Sequence, residues 1–410
     1  MFLNRLLMAF QIPGYRWLWA NYFASAAGFM PFRMAQGWLI LEMTDSPFMV
    51  GLAPGLGSAA SMLLSPLGGV LVDRLNRRVI LIMSQVVMGS AILILGLLTV
   101  TDSVEVWHIL VVTMVHQVMM GLQIAARDTL MYDVVGRGAL MNAMALQSLS
   151  SHSASVFGPL GAGFLMAGYG SGPLFLVIGI IILLGAVLLI PVKVAVTTAR
   201  PVGSVWRNLK EGIDLAAHDR PIRTVMWTVL VTDGLGYSSS AMFPVVTRDI
   251  LRAGPVVLGL LATFRGIGGI IGGLILSSLG DMNGKGFIFI GAALSFGAFL
   301  LFFAFSRNLP LSLTFILLSG ASSTAYETMA HTLLQVLSPE AMRGRIMGLY
   351  SLVVSGIGFG ALGMGAVASW LGVTWAIAGG GSTLVINALT RVHLAKEIND
   401  RTTAGSEDSK

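Results

Sequence analysis

The 410-residue sequence is 55% hydrophobic and only 11% charged, with a net charge of +6 and no cysteine. Soluble proteins carry roughly 25% charged residues, so this chain cannot clothe a water-facing surface, and disorder is excluded because disordered chains are poor in apolar residues. Without cysteine there are no disulfide frameworks, thiolate metal sites, iron–sulfur clusters or thiol catalysis.

What remains is an all-α membrane protein. A helix crosses the bilayer in about 20 apolar residues. The first segment, Met1 to Gln11, is short and amphipathic with no small-residue cleavage site after it, so no removable signal peptide is expected. Cutting the rest at charges, Pro and Gly-polar clusters leaves twelve apolar runs: 17–42, 48–72, 79–100, 107–126, 140–168, 172–192, 224–246, 256–280, 286–305, 310–334, 346–370 and 373–390. The runs are continuous rather than alternating, which argues against β-barrel strands.

Lys and Arg set the orientation. If both termini face the cytoplasm, twenty of the 25 basic residues fall in inner segments, three (Arg248, Arg252, Arg307) in outer loops, and Arg33 and Arg265 inside runs. This predicts a multi-pass membrane protein with both termini cytoplasmic, and it accounts for the basic isoelectric point without nucleic acid as a partner.

The longest polar stretch divides the runs six and six. The predicted organisation is two pseudo-symmetric six-helix bundles, 1–192 and 224–390, joined by a cytoplasmic linker at 193–223 and followed by a tail at 391–410. Within the linker, Val202 to Ala217 reads equally as a surface amphipathic helix or a plain connection. A shift of 202 residues aligns Phe157-Gly158-Pro159-Leu160-Gly161-Ala162-Gly163 with Phe359-Gly360-Ala361-Leu362-Gly363-Met364-Gly365. Parallel halves related by an axis along the membrane normal are a transporter design. Small residues such as Gly158 and Gly163, with Pro159 between them, suit close helix packing.

After the second run the chain reads Gly69-Val70-Leu71-Val72-Asp73-Arg74-Leu75-Asn76-Arg77-Arg78. This resembles the loop signature of the major facilitator superfamily, with Asn76 at the family's second Gly. A degraded copy, Gly280-Asp281-Met282-Asn283-Gly284-Lys285, follows the eighth run. A closer resemblance, to the enterobactin-exporter branch, runs through Trp38-Leu39, Thr44-Asp45-Ser46-Pro47, Gly51, Ser338-Pro339-Glu340 and Arg343-Gly344-Arg345. Gly158-Pro159 and Gly163 also resemble the antiporter signature, although Ala162 and Ala154 depart from it. The resemblance implies a secondary transporter in which Gly69, Asp73, Arg74, Arg77, Arg78 and Asp281 form a conformational latch. The plainer reading is that the arginines only anchor the loop.

Ionisable side chains within spans are costly and mark pathways or partners. At about 1.5 Å rise per residue, Arg33, Asp233 and Arg265 lie roughly 14, 20 and 14 Å from the outer ends of their runs. Asp233 is therefore expected to pair with Arg265 or Arg33, or the two arginines to meet an anionic substrate with Asp233 as counter-ion or proton site. A static buried pair is the bland alternative. His116 with Gln117, and Glu327 with His331 four residues on, form a second tier for substrate or protons. Phe29, Phe32, Trp38, Tyr237 and Phe243 are candidate pocket linings, with packing duty the commoner reading.

No cofactor, metal site or enzyme activity is expected, because Walker, His-Glu-x-x-His and Gly-x-Ser-x-Gly patterns are absent. The expectation is an alternating-access exporter of a small molecule, with proton coupling open. A nutrient importer of the same fold and a non-transporting membrane scaffold or sensor stand as alternatives.

Overall fold

In the computed structural model, residues 8–74, 76–192, 205–280 and 284–407 are described, without the side chains of 65–74, 125, 128, 205–208 and 402–407. These residues are helical, with no strand among them. In order the helices are α1 (Pro13–Thr44), α2 (Pro47–Arg74), α3 (Arg77–Val100), α4 (Val106–Tyr169), α5 (Ser171–Leu188), α6 (Val205–His218), α7 (Arg220–Val231), α8 (Pro255–Ser278), α9 (Lys285–Phe305), α10 (Leu309–Leu337), α11 (Arg343–Ser355), α12 (Ile357–Leu371) and α13 (Val373–Glu407). Nine segments among the described residues are long and apolar enough to cross a membrane.

Polar residues punctuate these helices where the sequence leaves orphan amides. Asn76 caps α3 by accepting from the Arg78 N–H at 3.0 Å, and Asp219 caps α7 by accepting from Ile222 N–H at 3.1 Å. Gly170, at φ 82°, breaks α4 from α5, and Gly372, 202 residues later at φ 88°, breaks α12 from α13. Both positions need a backbone conformation that only glycine adopts cheaply.

Three expected spans differ in the structure. The connection foreseen between the fourth and fifth runs is reduced to a sharp break at Gly136 (φ 65°, ψ 178°), where two helices meet within α4. Tyr22 touches Arg127 before the break and Ser151 after it, so the chain doubles back there. Arg127 and Arg137 therefore lie on a helix, and Arg127 is buried, its guanidinium 4.6 Å from the Tyr22 ring centroid. The seventh run is α-helical only to Val231. It continues as a π turn (Thr232–Gly236), a 3-10 stretch (Tyr237–Met242), one α turn and a second π turn (Val246–Ile250). The eleventh run is interrupted at Gly356, between α11 and α12.

The departure of the seventh run from a regular α-helix has a local cause. Gly234 and Gly236 weaken the helix, Pro244 removes a donor, and three consecutive serines offer the backbone other partners. Ser239 donates to Gly236 O at 2.6 Å and Ser240 to Tyr237 O at 2.7 Å. Ser238 donates across to Ile357 O at 2.7 Å, next to the break in the eleventh run. Irregular backbone inside an apolar protein survives only where such partners exist.

The chain divides into two compact units, Met1–Asp45 with Leu56–Pro201 and Ala253–Thr263, and Ser46–Gly55 with Val202–Arg252 and Phe264–Lys410. In the first, α1 packs on α4 and α5, and α3 on α4 and α5. Its core includes Tyr15, Leu18, Leu81, Leu130, Leu146 and Leu189. In the second, α9 packs on α10 and α13. Its core includes Val225, Val229, Phe289, Tyr326, Leu333 and Ile398.

Candidate functional site

The π turn places Asp233 inside the second unit, where the residue is only 4% exposed and Oδ1 has no hydrogen-bond partner. Such π turns interrupt helices frequently at functional sites. Tyr237, at the start of the 3-10 stretch, points its hydroxyl to Glu327 Oε2 at 2.9 Å and to Ser323 O at 3.3 Å. Its ring lies under Arg265, whose guanidinium carbon is 5.0 Å from the ring centroid and 5.8 Å from that of Phe296. Nη1 and Nη2 of Arg265 are buried without a hydrogen-bond partner among the described residues.

Packing between small residues makes this approach possible. A Cβ on Gly320 of α10 would meet the Arg265 carbonyl at 2.2 Å, so α8 and α10 touch backbone to backbone there. A Cβ on Gly236 would meet the Phe296 ring at 2.5 Å. Glycine at these two positions brings Arg265, Tyr237 and Phe296 together.

Of the predicted residues, Asp233, Arg265 and Glu327 thus share one neighbourhood. Asp233 and Arg265 form no ion pair, and Glu327 lies within electrostatic reach of both. His331, one turn after Glu327, has its Nδ1 3.2 Å from Gln335 Nε2 and its ring 5.8 Å from that of Tyr350.

Arg33 and His116 belong to the first unit. His116 is 2% exposed and stacks between Phe32, at 4.4 Å, and Phe29, at 5.9 Å. Arg33 covers the Phe29 ring at 5.8 Å. The neighbouring Thr113 donates to Gln36 at 2.7 Å. Gln117 fills the space beside Gly57, where a Cβ would lie 2.7 Å from its Cγ. These residues pack through aromatic and amide contacts.

The loop residues resolve into contacts inside one unit. Arg77 Nη1 meets Asp133 Oδ2 at 2.5 Å, and Arg78 Nε donates to Leu189 O at 2.9 Å. Asp133 carries no signal in the sequence, because it falls in the polar stretch between the fourth and fifth apolar runs. The side chains of Gly69, Asp73 and Arg74 in α2, and Asp281 altogether, lie outside the described residues. Gly158 rests against Pro31, with a Cβ-to-Cγ distance of 3.3 Å. A Cβ on Gly163 would meet Pro255 O at 2.8 Å, and one on Gly259 would meet Pro159 O at 2.6 Å.

Known proteins share this architecture and, more weakly, the sequence. A bacterial homologue of the human lysosomal transporter Spinster, solved inward-facing and unoccupied, is 14% identical with TM-score 0.68, covering 97% of this chain and 98% of its own. The nucleoside transporter NupG, solved as a mutant, is 12% identical with TM-score 0.72, covering 94% of this chain and 99% of its own. The fold is that of membrane transporters of the major facilitator type. Residues 6–408 match the MFS_3 family, described as transmembrane secretion effector, and the chain belongs to it. The superfamily resemblance read from the loop is thereby confirmed. Relatives include the staphyloferrin A transporter of Staphylococcus aureus, 22% identical over 82% of this chain and 85% of that one. The multidrug efflux pump Tap of Mycolicibacterium fortuitum is 23% identical over 76% and 78%, and macrolide efflux protein A of Streptococcus pyogenes 24% over 82% and 85%. These relatives are transporters and not enzymes.

Proposed function

We propose that the protein is a secondary transporter that exports a small molecule by alternating access, with Asp233 taking and releasing a proton. The observation that carries this is the π turn of the seventh run, which holds the buried carboxylate of Asp233, its Oδ1 unpartnered, in one neighbourhood with Tyr237, Glu327 and Arg265. Discontinuous helices carry substrate and coupling ions in other transporters. Export is favoured by the relatives named as efflux pumps.

The full reading has twelve spans in two six-helix halves, 1–192 and 224–390, with both termini cytoplasmic in a bacterial inner membrane. The nine apolar segments are completed by α1, the second part of α4 and the irregular 220–250 segment. Arg33, His116 and Gln117 line the pathway in the first half, and His331 borders it in the second. Gly69, Asp73, Arg74 and Asp281 form the latch, with Arg77 and Arg78 fixing its base.

Flux of a candidate drug panel in proteoliposomes, with and without a pH gradient, tests the proposal. Gradient-dependent flux in the wild type, lost in Asp233→Asn with normal insertion, is the expected result. Wild-type flux and pH profile in Asp233→Asn would remove Asp233 from the mechanism.

A further inference from the structure

We propose that Arg265 is the anchor for a carboxylate of the substrate, so that the substrate class is small aromatic or amphipathic carboxylic acids. This rests on the transporter reading and adds to it the chemistry of what is carried. Asp233 can lose its charge by binding a proton; a guanidinium cannot be deprotonated in a protein. An arginine whose Nη1 and Nη2 are buried without a partner from the protein therefore needs an anion from elsewhere.

The surroundings specify which anion. Tyr237 and Phe296 cover the guanidinium, so recognition is left to its edge, a planar fork of N–H donors. A planar carboxylate matches that fork with two parallel bonds, which the compact ammonium of a lysine at position 265 could not reproduce. The two rings add an apolar wall for the rest of the molecule.

The resident carboxylates are held off. Glu327 Oε2 accepts from the Tyr237 hydroxyl, and Nη1 and Nη2 of Arg265 have no hydrogen bond to it. It still lies in electrostatic reach of the guanidinium. Glu327 is then the internal anion that competes with the substrate, and Tyr237 is the positioning residue that keeps the two apart.

The test uses purified full-length protein in detergent and four matched probes: phenylacetate, phenylacetamide, phenylphosphonate and phenethylamine. Thermal stabilisation and tryptophan emission report binding. Phenylacetate is expected to bind and phenylacetamide to fail. Arg265→Lys should weaken phenylacetate about tenfold, through loss of the paired geometry. Arg265→Gln should abolish its binding, and Glu327→Gln should strengthen it. Equal binding by Arg265→Gln, preference for phenylphosphonate or phenethylamine, or no response to phenylacetate in the wild type would each overturn the assignment. Arg265→Lys keeps the charge, so it remains informative if Arg265→Gln does not fold. Uptake of labelled phenylacetate into proteoliposomes separates the two readings. Binding without uptake counts against transport and supports the anchor; uptake undiminished in Arg265→Gln overturns the anchor and supports transport.

Discussion

The Arg265 guanidinium carbon stands 5.0 Å from the centre of the Tyr237 ring, while the hydroxyl of that ring is bonded to Glu327. One side chain thus serves a cation through its face and an anion through its edge. The two services separate by mutation. Tyr237→Phe keeps the ring under Arg265 and removes one hydrogen bond, a loss of about 1 kcal/mol. Tyr237→Ala removes the ring as well and should cost about 3 kcal/mol or more. Thermal unfolding in detergent should place Tyr237→Phe near the wild type and Tyr237→Ala well below it. Transport should fall in both, because Tyr237→Phe frees Glu327 to occupy Arg265. Wild-type flux in Tyr237→Phe would show that the hydroxyl has no part in transport.

The glycine repeat makes a second prediction, because its members have opposite surroundings. Gly163 and Gly365 sit 202 residues apart, and a Cβ on either would collide with a backbone carbonyl, Pro255 O at 2.8 Å or Pro47 O at 2.7 Å. Gly161 and Gly363, two residues earlier in each copy, have nothing within 4 Å of that position. Overpacking against backbone costs about 1–3 kcal/mol. Gly163→Ala and Gly365→Ala should therefore unfold at lower temperature, and Gly161→Ala and Gly363→Ala at the wild-type temperature or above. A uniform response across all four would mean that close packing is not what holds these glycines.

The repeat was legible because small residues at a fixed offset leave a mark in the sequence. The same offset reappears in the breaks at Gly170 and Gly372. Intramembrane charges were equally visible, since apolar runs make Asp233 and Arg265 conspicuous. The pairing of Asp233 with Arg265 that their depths suggest is not made. Depth along a helix says nothing about azimuth, and the π turn at Thr232–Gly236 turns Asp233 away from a regular helical face. The signal for that turn lay in Gly234, Gly236 and the serine run. The break between the fourth and fifth runs falls where the charges place it, at Gly136, but its shortness is not legible: Arg127 and Arg137 read as loop charges, although both lie on helix and Arg127 is buried on Tyr22.

The Arg77–Asp133 pair offers a prediction that separates a staple from a latch. It joins the start of α3 to α4, three residues before the Gly136 kink, at 2.5 Å with side chains 13% and 15% exposed. The bond lies inside one unit, so its role is to hold that unit together. Exposed pairs contribute about 0–1 kcal/mol and breaking a buried one costs about 3–5, so this half-way case should cost about 1–3 kcal/mol. Asp133→Asn should lower the unfolding temperature, and transport should fall only as far as folded protein is lost. Because Arg77 would then be unpaired, Arg77→Gln combined with Asp133→Asn should recover part of the loss, a coupling that a double-mutant cycle measures. Asp73→Asn should do the opposite, impairing flux at normal stability. If Asp133→Asn stops transport while unfolding at the wild-type temperature, the pair acts in the conformational cycle and the staple assignment is wrong.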